Sequence, residues 1–270
     1  MNQVQQKIDH HFDASAQYWK DLYDQGSLEG AIHRRRRALA LGWVETLGLP
    51  GGAPALEVGC GAGLLAIDLA GAGLTMRCID SSAEMVGLAS AEAARSDVAE
   101  RVTVEVGDVH ALGFDAGAFQ LVVALGVVPF LHDPAHALAE MARVLSPGGW
   151  ALFSSDNRFR LNRVLDPRYT PFPGRQALRR RLTNRGVMAP AEVPGNYFSR
   201  RTVSWLVVDA GLMVMRCVTF GFGPFTFMGR RVLAEPRAVA VDDWLQIRAD
   251  RGAPVLGSMG AQHLILARKA

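Results

Sequence analysis

Glu57, Asp80 and Asp108 each stand at or just past the end of a short apolar run. A glycine turn, Gly59-Cys60-Gly61-Ala62-Gly63, lies between the first and the second. Such a turn lets backbone approach a ligand where a Cβ would clash. The helical spacing that begins at Leu64 aims free N–H groups into it. Turns of this kind hold nucleotides, and Asp80, 17 residues after Gly63, suits the two hydroxyls of a ribose. Each charge-assisted bond there is worth about 1.5–3 kcal/mol. The turn also fits the dinucleotide spacing Gly61-x-Gly63-x-x-Ala66, and NAD enzymes place an acid where Asp80 stands, so neither feature alone names the nucleotide.

Histidines are the candidates for proton transfer. His132, in Val128-Pro129-Phe130-Leu131-His132-Asp133-Pro134, follows an apolar strand and faces the expected pocket. A general base there would serve an acceptor that must lose a proton; the alternative is a histidine that caps or packs on the next helix. His10 and His11 are second candidates, His136 belongs to a helix surface, and His110, Asp156 and Asn157 can orient a substrate. Met85 can pack on a base ring or in the core. Leu125 and Gly126 end the fourth strand, where a small residue leaves room for a reacting group.

The order of these pieces resembles the class I S-adenosylmethionine (SAM)-dependent methyltransferases. It runs from Glu57-Val58-Gly59-Cys60-Gly61-Ala62-Gly63 through Cys78-Ile79-Asp80-Ser81-Ser82-x-x-Met85 and Gly107-Asp108-Val109. It continues through Phe119-Gln120-Leu121-Val122-Val123-Ala124 to Arg143-Val144-Leu145-Ser146-Pro147-Gly148-Gly149. The resemblance is to the UbiE/UbiG-like small-molecule group, covers roughly residues 10 to 156 well, and leaves the substrate open. It implies SAM as cofactor and S-adenosylhomocysteine (SAH) as product, bound by Glu57, Gly59, Gly61, Asp80, Ser81 and Met85. It further implies adenine contacts from Gly107, Asp108 and Val109, with Leu125 and Gly126 beside the sulfonium. Tyr18, Trp19 and Tyr23 would form a lid over the cofactor. One of Arg34 to Arg37, Arg35 by spacing, would hold the cofactor carboxylate, where a guanidinium pairs bidentately.

Positioning these residues requires alternating strands and helices. Strands are expected at 55–58, 75–80, 101–107, 119–126, 150–156, 213–222 and 262–268, with helices at 83–95, 134–145 and 200–210. Alternation of this kind builds a parallel sheet between helical layers, with ligands beyond the C-terminal strand ends. The expected fold is therefore α/β and Rossmann-like: seven strands, mostly parallel, helices on both faces and an antiparallel final hairpin. Residues 1–45 are expected to form an N-terminal helical lid. Residues 46–270 form the core, with substrate-covering insertions at about 157–199 and 223–260.

The chain has 270 residues, 49% hydrophobic, and a net charge of +3. Three cysteines are too few for a disulfide framework or a zinc site, the N-terminus lacks a signal peptide's apolar core, and no apolar run is long enough to span a bilayer. These point to the cytoplasm. No metal pattern is present. The positive charge is concentrated between Arg158 and Arg201, where 11 arginines face two acids. Arg158, Arg160 and Arg163 lie nearest the strand end and are the expected contacts to an anionic group on the acceptor. The same segment keeps RNA methylation as an alternative, although aromatic platforms are missing from its densest part, so nucleic acid is not the expected partner. The leading function is methyl transfer to a small, largely apolar or aromatic metabolite in natural-product tailoring, oxygen first among acceptor atoms. C-methylation of a quinone-type ring, or a SAM-binding protein without transfer, stays open, as does the oligomeric state.

Overall fold

The computed structural model describes residues 12–13, 15–166, 181, 195–228 and 230–270. Residues 15–21 are helical. The long helix α1 (Leu28–Glu45) follows, its first turn closed by Ser27, whose Oγ accepts from the Gly30 N–H. That cap satisfies a donor the helix itself leaves open.

The sheet then builds outward from β1 (Pro54–Val58). On one side lie β2 (Thr75–Asp80) and β3 (Val102–Val106), and on the other β4 (Phe119–Ala124) and β5 (Leu145–Asn157), all parallel to their neighbours. After a two-residue strand β6 (Tyr197–Phe198), which adds to the end of β5, come β7 (Leu212–Phe220) and β10 (Gln262–Lys269). The sheet order is β3-β2-β1-β4-β5-β10-β7, with β10 antiparallel to both of its neighbours. A separate two-stranded hairpin pairs β8 (Thr226–Phe227) with β9 (Arg230–Arg231). The seven-stranded, mostly parallel path with an antiparallel β7–β10 pair is the expected one. β5 starts five residues earlier than expected, at Leu145.

Helices α2 (Leu64–Gly71), α3 (Ala83–Ala94), α4 (Pro134–Val144), α5 (Leu161–Leu165), α6 (Arg200–Asp209) and α7 (Glu235–Asp250) complete the fold. β4 shows why both sheet faces need cover. Successive strand residues point to opposite faces. Leu121 and Val123 join one buried cluster with Leu65, Leu69, Trp43 and Phe220, while Val122 and Ala124 join the other with Leu138, Met141, Val203 and Val207. A strand apolar on both faces is stable only between helical layers.

Residues 223–260 depart from the expected substrate cover. They contain the 16-residue helix α7, which packs on α1. Asp242, fully buried on α7, accepts from Arg35 Nη1 and from the Phe222 backbone N–H, each at 2.5 Å, and Asp243 takes Arg35 Nη2. Glu235 accepts from the Leu28 backbone N–H. This insertion therefore straps the N-terminal helix to the sheet. Asp242→Ala is expected to destabilise the fold by about 2–3 kcal/mol, because it strands a guanidinium and a buried N–H. Chemical denaturation would measure this, and a change under about 0.5 kcal/mol would show the strap to be dispensable.

Candidate functional site

A cavity of about 550 Å³ opens beyond the C-terminal ends of the parallel strands. Its floor is the turn between β1 and α2. Gly59 has φ 63°, and a Cβ there would stand 2.4 Å from Val127 Cγ2. Only glycine meets both conditions. Gly61 donates its N–H to Asp80 Oδ2 at 2.9 Å, and the Ser82 N–H bonds Oδ1 at 3.0 Å. Asp80 thus ties the glycine turn to the start of α3 and presents its charge at the cavity wall.

One end of the cavity is formed by residues after β2 and β3. Asp80, Ser81, Met85, Gly107, Asp108 and Val109 all line it there. Asp108 accepts from the His110 backbone N–H at 2.9 Å and contacts the His110 ring at 2.8 Å. Burial would raise the Asp108 carboxyl, but these two contacts with His110 outweigh it and hold the pKa below the ordinary value. His110 also lines the cavity, so it sits with the nucleoside-type acids rather than at the far end where a substrate would be oriented.

The middle is formed by Glu57, Gly59, Gly61, Leu125, Gly126 and α1. Arg35, expected here, points to α7 instead. Its neighbour Arg36 is the one inside: it is buried, lines the cavity, and its Nε has no hydrogen-bond partner among the described residues. Gly126, with φ 81°, makes this possible, since a Cβ there would come within 2.7 Å of Arg36 Nη1. Arg37 also reaches the cavity but is engaged by Asp68 at 2.5 Å and by the Leu64 carbonyl. Glu57 is buried, with Oε2 lacking a partner among the described residues. Burial, reinforced by Asp80, pushes its pKa up to about 8 against the pull of Arg37. His33, three residues before Arg36 on the same face, lies 3.4 Å from Arg36 Nη2 through Nδ1. Burial and the Arg36 charge press its pKa down to about 2, so the ring is neutral.

Aromatic residues wall the cavity. Phe12, Trp19, Tyr23 and Phe130 line it, and Trp19 stacks on the His33 ring with centroids 5.7 Å apart. Tyr18 is placed differently: it is half exposed, does not line the cavity, and donates its hydroxyl to Glu29 at 3.0 Å. Burial and that carboxylate raise its pKa.

His132 is exposed and is not among the lining residues. Its ring lies against His110, centroids 3.9 Å apart. His10 and His11 lie outside the described residues. Arg158, Arg160 and Arg163 do not line the cavity either: the guanidinium carbons of Arg160 and Arg163 sit 4.9 and 3.9 Å from the Tyr197 ring centroid. Most of the arginine-rich segment, residues 167–180 and 182–194, is outside the described residues. At the far end of the cavity stand Asp156 and Gln262. Among the described residues no cluster suits a metal ion, and no helix is long and apolar enough to cross a membrane.

The site's orphaned groups fit the two charged ends of an amino acid: Arg36 Nε for a carboxylate, Glu57 Oε2 for an ammonium. The acids at the other end fit a nucleoside, and in the turn between them Gly59 has no room for a side chain against Val127. The sheet order is that of a Rossmann-like fold, with the cavity beyond its strand ends. Residues 56–153 match the family model described as a methyltransferase domain, and the chain carries a class I SAM-dependent methyltransferase domain, for which SAM is the cofactor.

Relatives extend this over part of the chain. A ubiquinone biosynthesis O-methyltransferase of Thiobacillus denitrificans is 37% identical over 123 residues, covering 44% of this chain and 51% of the relative. The Burkholderia vietnamiensis protein of the same name is 31% identical over 121 residues, covering 44% and 50%. The chain thus spans about half the length of the curated relatives it matches. Among solved structures, magnesium protoporphyrin IX methyltransferase from Synechocystis with bound SAH superposes with a TM-score of 0.64 at 16% identity, over 99% of this chain and 100% of that one. Geranyl diphosphate C-methyltransferase from Streptomyces coelicolor gives 0.56 at 18%, over 88% and 80%. At such identities these likenesses concern the fold.

Proposed function

We propose that the protein transfers a methyl group from SAM to a small, largely apolar or aromatic metabolite in the cytoplasm, with oxygen the first acceptor atom. A role in natural-product tailoring belongs to the same reading. The observation that carries it is one cavity with a nucleoside end, an amino-acid middle and a wall of aromatic side chains. In this reading Asp80 accepts the ribose hydroxyls, with Ser81 beside it. Asp108 and Val109 hold the adenine opposite Met85, and Gly107 keeps that wall clear of a side chain. Arg36, rather than Arg35, meets the carboxylate, and Glu57 the ammonium. Leu125 and the small Gly126 leave room at the methyl.

When bound, SAM supplies an electrophilic methyl carbon on a sulfonium. The chain's own residues orient the acceptor in line with it, and alignment alone can lower the barrier by about 7–11 kcal/mol. Phe12, Trp19 and Phe130, which line the cavity, exclude water from it. The ubiquinone relatives support an O-acceptor, while the half-length match leaves the acceptor's identity with this chain's own far end. Calorimetric titration tests the cofactor part: SAH is expected to bind one-to-one in the micromolar range or tighter. Absence of binding would overturn the reading.

A further inference from the structure

The cavity wall at the ends of β5 and β10 holds a pair of hydrogen-bond acceptors. Asp156 follows the β4–β5 ladder, which ends at Ala124↔Phe153, and Gln262 opens β10 directly opposite it. Both line the cavity on the side of the sheet away from β2 and β3, where the nucleoside acids stand. Gln262 donates from Nε2 to Asp156 Oδ1 at 3.1 Å. That bond leaves Gln262 Oε1 buried with no hydrogen-bond partner among the described residues. A buried acceptor without a donor is costly. Its neighbour on the wall, the Asp156 carboxylate, accepts as well. Two acceptors side by side call for a ligand that donates hydrogen.

We infer that Asp156, oriented by Gln262, is the catalytic base that takes the proton of a hydroxyl on the acceptor. This rests on the methyltransferase reading above. The balance is direct. The hydroxyl proton passes to the Asp156 carboxylate, and the freed oxygen pair forms the C–O bond to the methyl carbon. The C–S bond breaks with its pair left on sulfur, which gives the ether and neutral SAH. No other reactant is needed.

The surroundings suit the task. Burial raises the Asp156 pKa, which makes the carboxylate a stronger base, while the charges of Arg160, Arg36 and Arg163 and the Gln262 bond oppose the rise and keep it ionisable. His33, the nearest histidine on α1, is held neutral by burial and the Arg36 charge at a pKa of about 2, too weakly basic to compete. His132 lies off the cavity wall. Asp156 is thus the group at the acceptor end with both the position and the basicity.

Two probes of similar shape and different acidity test this: 4-ethylphenol, with a pKa near 10 like a tyrosine, and 4-nitrophenol, already ionised at about pH 8.5. In the wild-type SAH complex, 4-ethylphenol is expected to bind at least about tenfold more tightly than ethylbenzene, which lacks the donor. Asp156→Asn should reduce that preference to about threefold or less. With SAM, the variant should lose about 10²–10⁴-fold in methyl transfer to 4-ethylphenol and less than tenfold to 4-nitrophenol, which needs no base. Gln262→Leu should show the same acidity-dependent loss at smaller size, and serves if Asp156→Asn does not fold. SAH affinity should stay within twofold in both, and its loss in the wild type would instead strike the cofactor reading. Equal losses on both probes, no loss on either, or no preference for the phenol over ethylbenzene would overturn the assignment.

Discussion

Asp80→Ala is expected to weaken SAH binding by about 3–6 kcal/mol, roughly a hundredfold or more in affinity. The carboxylate has two functions. It accepts the Gly61 and Ser82 N–H groups, at 2.9 and 3.0 Å, and so holds the glycine turn against the N-terminus of α3. In the proposed complex it also accepts the ribose hydroxyls. Charge-assisted bonds of this kind are worth about 1.5–3 kcal/mol each, and alanine removes all of them while loosening the turn that the cofactor must touch. Asp108→Ala should cost less, because its carboxylate is half exposed and shares itself with His110. Calorimetry of both variants at pH 7 decides the matter. A loss under tenfold for Asp80→Ala would remove Asp80 from the ribose.

The second large effect is on stability against pH. Glu57 has its pKa raised in the folded protein from 4.5 to about 8, first by burial and then by Asp80. The folded state therefore keeps a proton that the unfolded chain releases. The stability this gives is present below 4.5 and is lost as pH rises toward 8. At about 1.4 kcal/mol per unit the loss has a ceiling of about 5 kcal/mol. Two buried histidines act in the opposite direction. His33 is lowered from 6.5 to about 2 by burial and Arg36, and His263 to about 4 by burial, with Arg200 adding to it and the Phe198 carbonyl opposing. Each binds a proton in the unfolded chain below 6.5 and not in the fold, so stability falls as pH drops below 6.5. Together they place the maximum for the ligand-free protein near pH 6.5. Glu57→Gln keeps the shape and removes the charge. It should flatten the alkaline limb and gain about 2 kcal/mol at pH 8 relative to its value at 6.5. Thermal melts across pH 5 to 9 would show this, and an unchanged alkaline limb in the variant would mean that Glu57 is ionised in the fold.

What the sequence determined by itself is the scaffold and the nucleoside half of the site. The apolar runs of β1 and β4 are buried almost throughout, so only a sheet covered on both faces can accommodate them. The capping residues Ser82, Asp133 and Ser199 stand directly before the helices they close. Asp80, Asp108 and the glycines are legible because each sits within a few residues of a strand end, and local geometry carries them to the cavity.

The choice among Arg34 to Arg37 was decided only by tertiary structure. Consecutive helical residues point about 100° apart, so four arginines in a row face four ways, and the strap of α7 captures Arg35 while the bare backbone of Gly126 admits Arg36. Histidines divided in the same way. His132 follows a strand end as the motif suggests, yet its ring is taken by His110. His33, with only its three-residue spacing from Arg36 to mark it, is folded into the wall by Trp19. Asp156 and Gln262 are 106 residues apart; they meet because the antiparallel β10 returns beside β5, a pairing whose register is set by the packing of the whole sheet and not by any local pattern.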